Sequence, residues 1–507
     1  MPAPTPAPDA VPPGARSEQE RVRREKADRW RERGVEPYPP SPGRDTTLAQ
    51  ARAAADTLAD GEGTGTTVTV AGRVVLNRLG GGRCFAVLRD VSGDLQVMLA
   101  RDRVGEESLV AWKDVDLGDH VAVTGEVVRS RRGEPSVEAD SWVLTAKSLT
   151  PPPEKWQGLS DPEARVRARH VDLATRPEAR EVVRRRAAVL RALRTALEER
   201  DFLEVETAVL QSVRGGANAR TFDTTSNAFG LPLVLRIALE LPLKRLVVGG
   251  LERVYEIGRV FRNEGVDATH NPEFTMLESY EAYGDYDTQA GLVADLVGRA
   301  ARAALGTTDV EAGDADDPVR LGEPFRHATL HDLVGEAVGE PVDVSTSVEE
   351  VRRHAERAGL ETVRPGWSAG EVVVELFEQL VQPGLRQPTF VRDWPVEVRP
   401  LTRQHRDDPR LAEAWDLVVD GVELSTGYTE LTDPAEQRRR LTDQARRAAD
   451  GDDEAMAVDE DFLAALEYGM PPTGGQGLGV DRLVMLLTGL SIRETVTFPM
   501  TRPRPGD

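Results

Sequence analysis

The residues richest in chemistry lie between Arg253 and Tyr283. Val254, Ile257 and Val260 recur among polar residues and predict a strand that carries Arg259 and Phe261. Arg262-Asn263-Glu264-Gly265 opens a polar loop that reaches His270-Asn271-Pro272, and a second strand is expected from Glu273 through Phe274, Met276 and Leu277 to Tyr280. An arginine presents a planar fork that matches a phosphate or a carboxylate. A phenylalanine among polar neighbours can stack on a purine. The combination suits a nucleotide, and a charged surface hairpin fits the same residue types.

Two later stretches carry related chemistry. In AWDLVVDGVELSTGYTEL, Asp416 and Glu423 are seven positions apart and would face opposite sides of one regular strand. A turn at Asp420-Gly421 makes a hairpin instead, which can bring both carboxylates together. Paired acids facing a triphosphate fit Mg²⁺, a hard cation that takes oxygen ligands; two surface acids are the other reading. In GGQGLGVDRLVML, Gly475, Gly477 and Gly479 let a strand pass close beneath a nucleotide, and Asp481-Arg482 opens a helix whose Leu483, Val484 and Leu487 are core. No βαβ unit with a ribose-binding acid surrounds these glycines, so they are not a dinucleotide-binding fingerprint. RIALEL, read at period two, puts Arg236 and Glu240 on one face of one strand.

FRNEG followed by HNPEFT resembles motif 2 of the class II aminoacyl-tRNA synthetases, and the GxGxDR pattern in its order resembles motif 3. RIALELPLKRLVVGGLERVYEIGR and TMLESYEAY resemble the lysyl-tRNA synthetase branch, and the resemblance runs from about Val68 to Pro503. The block from Pro400 to Leu441 is similar to the synthetase module of a subgroup often fused to a lysyl-phosphatidylglycerol membrane unit. That unit is not seen in this sequence, so lipid transfer by the chain is not expected.

The resemblance implies an enzyme that activates lysine with ATP to lysyl-adenylate and passes the lysyl group to the 3′ end of a tRNA. It implies ATP contacts at Arg262, Glu264, His270, Asn271, Phe274, Glu423, Gly479 and Arg482, with Arg262 and Arg482 as the catalytic cations. It implies Mg²⁺ on Asp416 and Glu423. For lysine it implies Gly216, Glu240 for the α-ammonium, Arg262, Glu278, Tyr280, Thr426, Tyr428 and Glu430. Two carboxylates and a phenol can satisfy a buried side-chain ammonium; aspartyl and asparaginyl synthetases are the nearest rivals, and a binder of a side-chain carboxylate would want a cation there. The chain departs from the family at Ala208 and Thr221, where proline is usual, at Asp416 for Glu, and at Thr426 for Asn. A paralogue that binds tRNA or supplies lysyl groups outside translation is the alternative reading.

The elements that must position these residues form an α+β chain. Net charge is -22 over 507 residues, which argues against broad non-specific nucleic-acid binding, though a local basic face can still hold RNA. No run of eighteen apolar residues occurs, no signal pattern opens the chain, and Cys84 is its one cysteine, so a cytoplasmic protein without membrane contact is expected. Residues 1–16 read as a disordered Pro/Ala-rich tail, and 17–150 as an N-terminal helix and a domain of five short strands. Ser17 and Glu20 form a capping box for that helix, whose arginines are mostly basic surface. Five strands suggest an OB-fold barrel. Arg78, Phe85 and Gln96 have the composition to stack and read an unpaired base, or Phe85 is barrel core. The resemblance assigns these three to the central anticodon base. Residues 151–164 read as a Pro-rich linker, and 165–507 as the catalytic domain with a helical insertion near 340–388. A helix from Glu178 to Arg200, with Val183, Leu190, Leu193 and Leu197 on one stripe, and the strand FLEVET look like motif 1 and imply a homodimer.

Overall fold

The structure, a computed structural model, describes residues 17–153, 159–312, 317–449 and 456–501. The expected tail at 1–16 and the middle of the expected linker lie outside the described residues. Contacts divide the chain into two compact units, Met1–Gly158 and Leu159–Asp507. Among the described residues no helix is long and apolar enough to cross a membrane.

In the first unit, α1 (Glu18–Glu32) begins at the Ser17–Glu20 capping box, and Gly34, at φ +73°, follows its end. Its arginines are mostly exposed, as expected, with Arg23 and Arg29 the exceptions. Arg23 is buried and donates to the carbonyls of Leu117 and Ser148, at 2.9 and 3.1 Å, while Arg29 and Arg33 reach Asp114. Arg21, Arg24 and Arg31 stay exposed.

Five strands follow: β1 (Gly63–Arg78), β2 (Arg83–Arg89), β3 (Asp94–Ala100), β4 (His120–Arg129) and β5 (Pro135–Ala146). They close in the order β1-β2-β3-β5-β4, an OB-fold barrel. β1 is longer than the pattern suggested because it pairs first with β4 and then with β2. It changes partner near Gly72, where a Cβ would press to 2.8 Å on the Arg89 carbonyl oxygen. The period-two pleat then sorts the side chains. Cys84, Ala86, Leu88, Leu95, Val97 and Leu99 point inward and are buried, with α2 (Leu48–Asp56) packed on the same core. Phe85, Gln96 and Met98 fall on the outer face and are half-buried, so Phe85 is not a core residue. Arg78 pairs in register with Phe85, and Phe85 with Met98; Gln96 donates to Ser136 Oγ at 2.9 Å.

The second unit is built on eight strands: β6 (Leu203–Glu204), β7 (Arg253–Phe261), β8 (Glu273–Ala282), β9 (Arg326–Thr329), β10 (Thr389–Pro395), β11 (Leu411–Val419), β12 (Val422–Thr429) and β13 (Thr473–Gly479). Their order is β9-β10-β11-β12-β13-β8-β7-β6, antiparallel except for the two edge pairs. Of FLEVET only Leu203 and Glu204 join the ladder. One face packs on α3 (Pro177–Glu198), α5 (Tyr286–Leu305) and α9 (Val480–Thr488) through Leu193, Leu197, Leu296 and Leu483, against Leu277, Trp415 and Leu478. Val183 is 42% exposed and not on the buried stripe; Val182, Val189, Leu193 and Leu197 form it. The other face carries Phe274, Met276, Glu278 and Tyr280 at alternate positions of β8. Beyond the sheet, α6 (Val348–Arg357), α7 (Ala369–Leu376) and a π-helical turn, Phe377–Val381, pack around Leu376, Phe377 and Trp394. Two more elements frame the site, α4 (Glu240–Val248) and α8 (Glu460–Gly469).

RIALEL is not one strand. The strand ends at Leu235, and Glu240 is the first residue of α4, so Arg236 and Glu240 do not share a strand face. Arg236 ties its own connecting segment to β7 instead, donating to Glu256 at 2.6 Å and to the Arg259 carbonyl at 2.8 Å.

The pleat of the barrel is directly testable. Leu88→Ala should cost about 2–5 kcal/mol, the usual loss for a buried leucine, whereas Phe85→Ala should cost less than about 1.5 kcal/mol because its ring stands on the outer face. Urea unfolding of the two variants checks this, and equal losses would place Phe85 in the core.

Candidate active site

The β7–β8 hairpin pairs Val260 with Phe274 and Glu256 with Glu278, and its loop is drawn shut where the Arg262 N–H donates to the Pro272 carbonyl at 2.8 Å. A cavity lies over this loop. Arg262, Glu264, His270, Asn271 and Phe274 line it from the hairpin, with Glu423 of β12, Gly479 of β13 and Arg482 of α9. All eight residues expected at a nucleotide are therefore brought together. The Arg262 guanidinium sits 5.2 Å from the Phe274 ring centroid, a cation–π contact that leaves the fork free on its other side. Arg482 donates to the Glu423 carbonyl at 2.7 Å. His270 turns toward Asp267, with Nδ1 2.9 Å from Oδ2, and Asn271 donates to the Glu273 carbonyl at 2.6 Å. Asp481 pins α9 under the site by accepting from the Thr275 N–H at 2.6 Å and from Arg186 at 2.5 Å.

A second cavity shares Arg262, Glu423 and Thr426 with the first. Gly216, Glu240, Glu278, Tyr280 and Tyr428 line it as expected. Gly216 is at φ +85°, where a Cβ would also come to 3.0 Å from Ala238. Glu278 accepts from the Leu239 N–H at 2.9 Å and from the Tyr280 hydroxyl at 3.0 Å. Thr426 Oγ1 lies 2.9 Å from the Tyr428 hydroxyl. Glu430 departs from expectation: it is 1% exposed, it is not among the lining residues, and its Oε2 is 2.5 Å from Lys244 Nζ. Gly475 also differs. It lies beneath Tyr280 and Glu430, whose atoms fill the place a Cβ would need, while Gly477 and Gly479 are the glycines at the nucleotide cavity.

Sequence reasoning missed two residues. Lys244 is fully buried between Glu240 and Glu430, and the signal was the i,i+4 spacing of Glu240 and Lys244, which becomes visible once α4 is known to start at Glu240. Arg399 lines the second cavity, ion-pairs with Asp416 and stacks 4.1 Å from the Trp394 ring centroid. No local pattern marked it.

The family description "tRNA synthetases class II (D, K and N)" matches residues 161–502, and "OB-fold nucleic acid binding domain" matches residues 68–145. The chain is 52% identical over 493 residues to the lysine--tRNA ligase 1 of Mycobacterium tuberculosis (strain ATCC 25618 / H37Rv), covering 96% of this chain and 97% of that protein. The chain belongs to the lysine--tRNA ligase family. Its similarity to the lysine--tRNA ligase of Kineococcus radiotolerans is 53% over 489 residues, again covering 96% and 97%. It is also 51% identical over 491 residues to a lysylphosphatidylglycerol biosynthesis bifunctional protein of Mycolicibacterium vanbaalenii, covering 96% of this chain but 44% of that larger protein.

Lysine--tRNA ligases use a divalent metal, and the donors here fit Mg²⁺. The turn at Asp420-Gly421, both at positive φ, folds β12 back on β11 and sets Asp416 opposite Thr426 and Val418 opposite Glu423. Asp416 and Glu423 line a shared cavity beside Glu378 of the π-helical turn. Asp416 gives one oxygen to Arg399, and its buried Oδ1 has no hydrogen-bond partner among the described residues. Burial, with Glu423 adding to it, holds the Asp416 carboxyl up at about 6 against the pull of Arg399. Among the described residues no three His, Cys, Asp or Glu side chains converge as a metal cage. Two carboxylates with the remaining positions left to water and phosphate is how Mg²⁺ is usually held.

The lysine--tRNA ligase pocket is dense in acid. Burial first, and Glu240 second, raise the Glu278 carboxyl to about 7. Burial raises Glu240 and Glu430 too, against the neighbouring ammonium of Lys244. Glu278 holds its proton more tightly folded than unfolded, where a glutamate titrates near 4.3. Its contribution therefore weakens the fold as pH rises from about 4.5 to 7, and the loss is complete above that range. Glu278→Gln lacks this titration. It should gain about 1–3 kcal/mol over wild type between pH 5 and pH 8 in urea unfolding, and an unchanged difference would mean the carboxyl is not raised.

Proposed function

We propose that this chain is a working lysine--tRNA ligase of the cytoplasm, joining lysine to ATP in the paired cavities and then to a tRNA held by the barrel. The observation that carries the reading is Arg262, which lines both cavities at once. A carboxylate in one cavity and an α-phosphate in the other would share its fork. Attack of the lysine carboxylate oxygen on the α-phosphorus expels pyrophosphate and needs no protein nucleophile. It needs alignment and charge neutralisation. Glu264, His270 and Asn271 approach the nucleotide, Phe274 stacks the adenine, Gly479 lets it lie close and Arg482 meets the far phosphate. Mg²⁺, when bound, neutralises the triphosphate and the leaving pyrophosphate. Asp416 and Glu423 would hold it. The tRNA 3′ hydroxyl then attacks the adenylate carbonyl and AMP leaves.

Glu240 takes the α-ammonium, while Glu278 and Tyr280 take the ε-ammonium, with Glu430 behind them. Gly216, Thr426 and Tyr428 shape the walls. The outer barrel face, with Arg78, Phe85 and Gln96, takes the central anticodon base. A homodimer is supported by exposed apolar side chains in and just after the motif 1-like strand, Leu203 at 53% and Leu210 at 50%.

Lysine-dependent ATP–pyrophosphate exchange is the primary test. Glu278→Gln should lose roughly tenfold or more in kcat/KM for lysine, about one charge-assisted hydrogen bond, and an unchanged value sinks the pocket assignment. Phe85→Ala should leave exchange intact and weaken tRNA charging by about 1–3 kcal/mol, the value of a stacked base. Thr426→Asn should lower KM for lysine several-fold, about 0.5–1.5 kcal/mol, with kcat little changed. A collapse of exchange would show that the walls have repacked around Thr426.

A further inference from the structure

Lys244 is a fully buried charge of the second unit. It is 0% exposed, one turn after Glu240 on α4, and its Nζ lies 2.5 Å from Glu240 Oε1 and 2.5 Å from Glu430 Oε2. The ring of Phe462 on α8 packs 6.0 Å away. Lys244 is not among the cavity-lining residues, so a bound amino acid would meet Glu240 and not the lysine behind it. An enzyme read as selecting an ammonium thus keeps an ammonium of its own on two of its three acids.

The charge count gives this a purpose. With a ligand ammonium bound, which favours the ionised form of each acid, Glu240, Glu278 and Glu430 supply three negative charges, and Lys244 and Arg262 supply two positive ones. The other charges lining the cavity, Arg399 and Glu423, pair with Asp416 and Arg482, which lie outside its lining. The set is one positive charge short of neutral, and free lysine, with two ammoniums and one carboxylate, carries one. A neutral zwitterion leaves a buried acid uncompensated, and buried unpaired charge is strongly disfavoured. Without Lys244 the pocket would be two short, and lysine alone would no longer balance it.

We propose that Lys244 is a specificity-determining positioning residue: it holds Glu240 and Glu430 together and sets the pocket charge so that an amino acid of net charge +1 fills it. The inference rests on the reading of Glu240, Glu278 and Glu430 as the lysine site. It predicts a dependence on ligand charge that packing alone does not produce.

The test measures binding of lysine and of lysinamide, which keeps both ammoniums and lacks the carboxylate, to the full chain by calorimetry. Wild type should prefer lysine. In Lys244→Met the pocket gains a negative charge, so the preference should move toward lysinamide by roughly tenfold or more, on the scale of one charge-assisted contact. Lys244→Met with Glu430→Gln restores the count and should return the ratio to that of wild type, even where affinity for both ligands stays low. If Lys244→Met is too unstable to purify, Glu430→Gln alone decides: it removes one negative charge with Lys244 in place and should move the preference further toward lysine, and an unchanged ratio overturns the charge count. An unchanged ratio in Lys244→Met, or a shifted one in the double variant, overturns the proposal. Glu278→Gln separates the two readings. If it leaves both affinities untouched, the lysine site itself is misplaced; if it weakens both while Lys244→Met moves no ratio, only the role of Lys244 fails.

Discussion

The second unit depends on a strand that has almost no side chains. β13 runs between β8 and β12, and its glycines fall where the site needs room: Gly475 lies in register between Tyr280 and Tyr428, and Gly477 between Glu278 and Thr426. Each row sets two side chains across a glycine, with Tyr280 and Glu430 closing over Gly475 and Met276 3.2 Å from where a Cβ of Gly477 would sit. A strand of ordinary residues would fill that trough, and glycine in a strand interior is the usual mark of a close approach. The cost is a strand that contributes little packing of its own on this face. Leu478, which points the other way into the helical core, supplies it instead.

Once the trough exists, electrostatics governs what can fill it. Burial in one dry pocket raises the carboxyls of Glu240, Glu278 and Glu430, and repulsion between the acids adds to it at Glu278 and Glu430. Arg262 stays on the cavity wall, pulled below its ordinary range by burial and sustained by Glu264, Glu423 and Glu278. Asp416 shows the same economy in the neighbouring cavity. It is one methylene shorter than the family glutamate, and Arg399 closes on one of its oxygens while the other stays bare.

Much of this was legible in the sequence because it depends on local pattern. The barrel strands announced themselves by alternation, and the capping box at Ser17 marked the start of α1 to the residue. The hairpin at Asp420-Gly421 followed from the impossibility of placing Asp416 and Glu423 together on one strand. What escaped notice depends on contacts between distant segments. RIALEL alternates like a strand, yet tertiary packing turns it into a buried connection and a helix start, which sets Lys244 behind Glu240, one turn on. Arg23 looked like one basic residue among many until the carbonyls of Leu117 and Ser148 claimed it. Arg399 has no periodic signal of its own, because it follows the end of β10 and its ion-pair partner Asp416 comes from β11.

The pleat of the barrel separates two jobs that share the same strands. Cys84, Ala86, Val97 and Leu99 hold the barrel closed, and the residues interleaved with them, Phe85, Gln96 and Met98, face outward. Substitution on the outer set leaves the inner set untouched. Such a module can drift in what it reads while its folding stays constant, and selection can act on recognition at one residue in two without passing through an unstable ancestor.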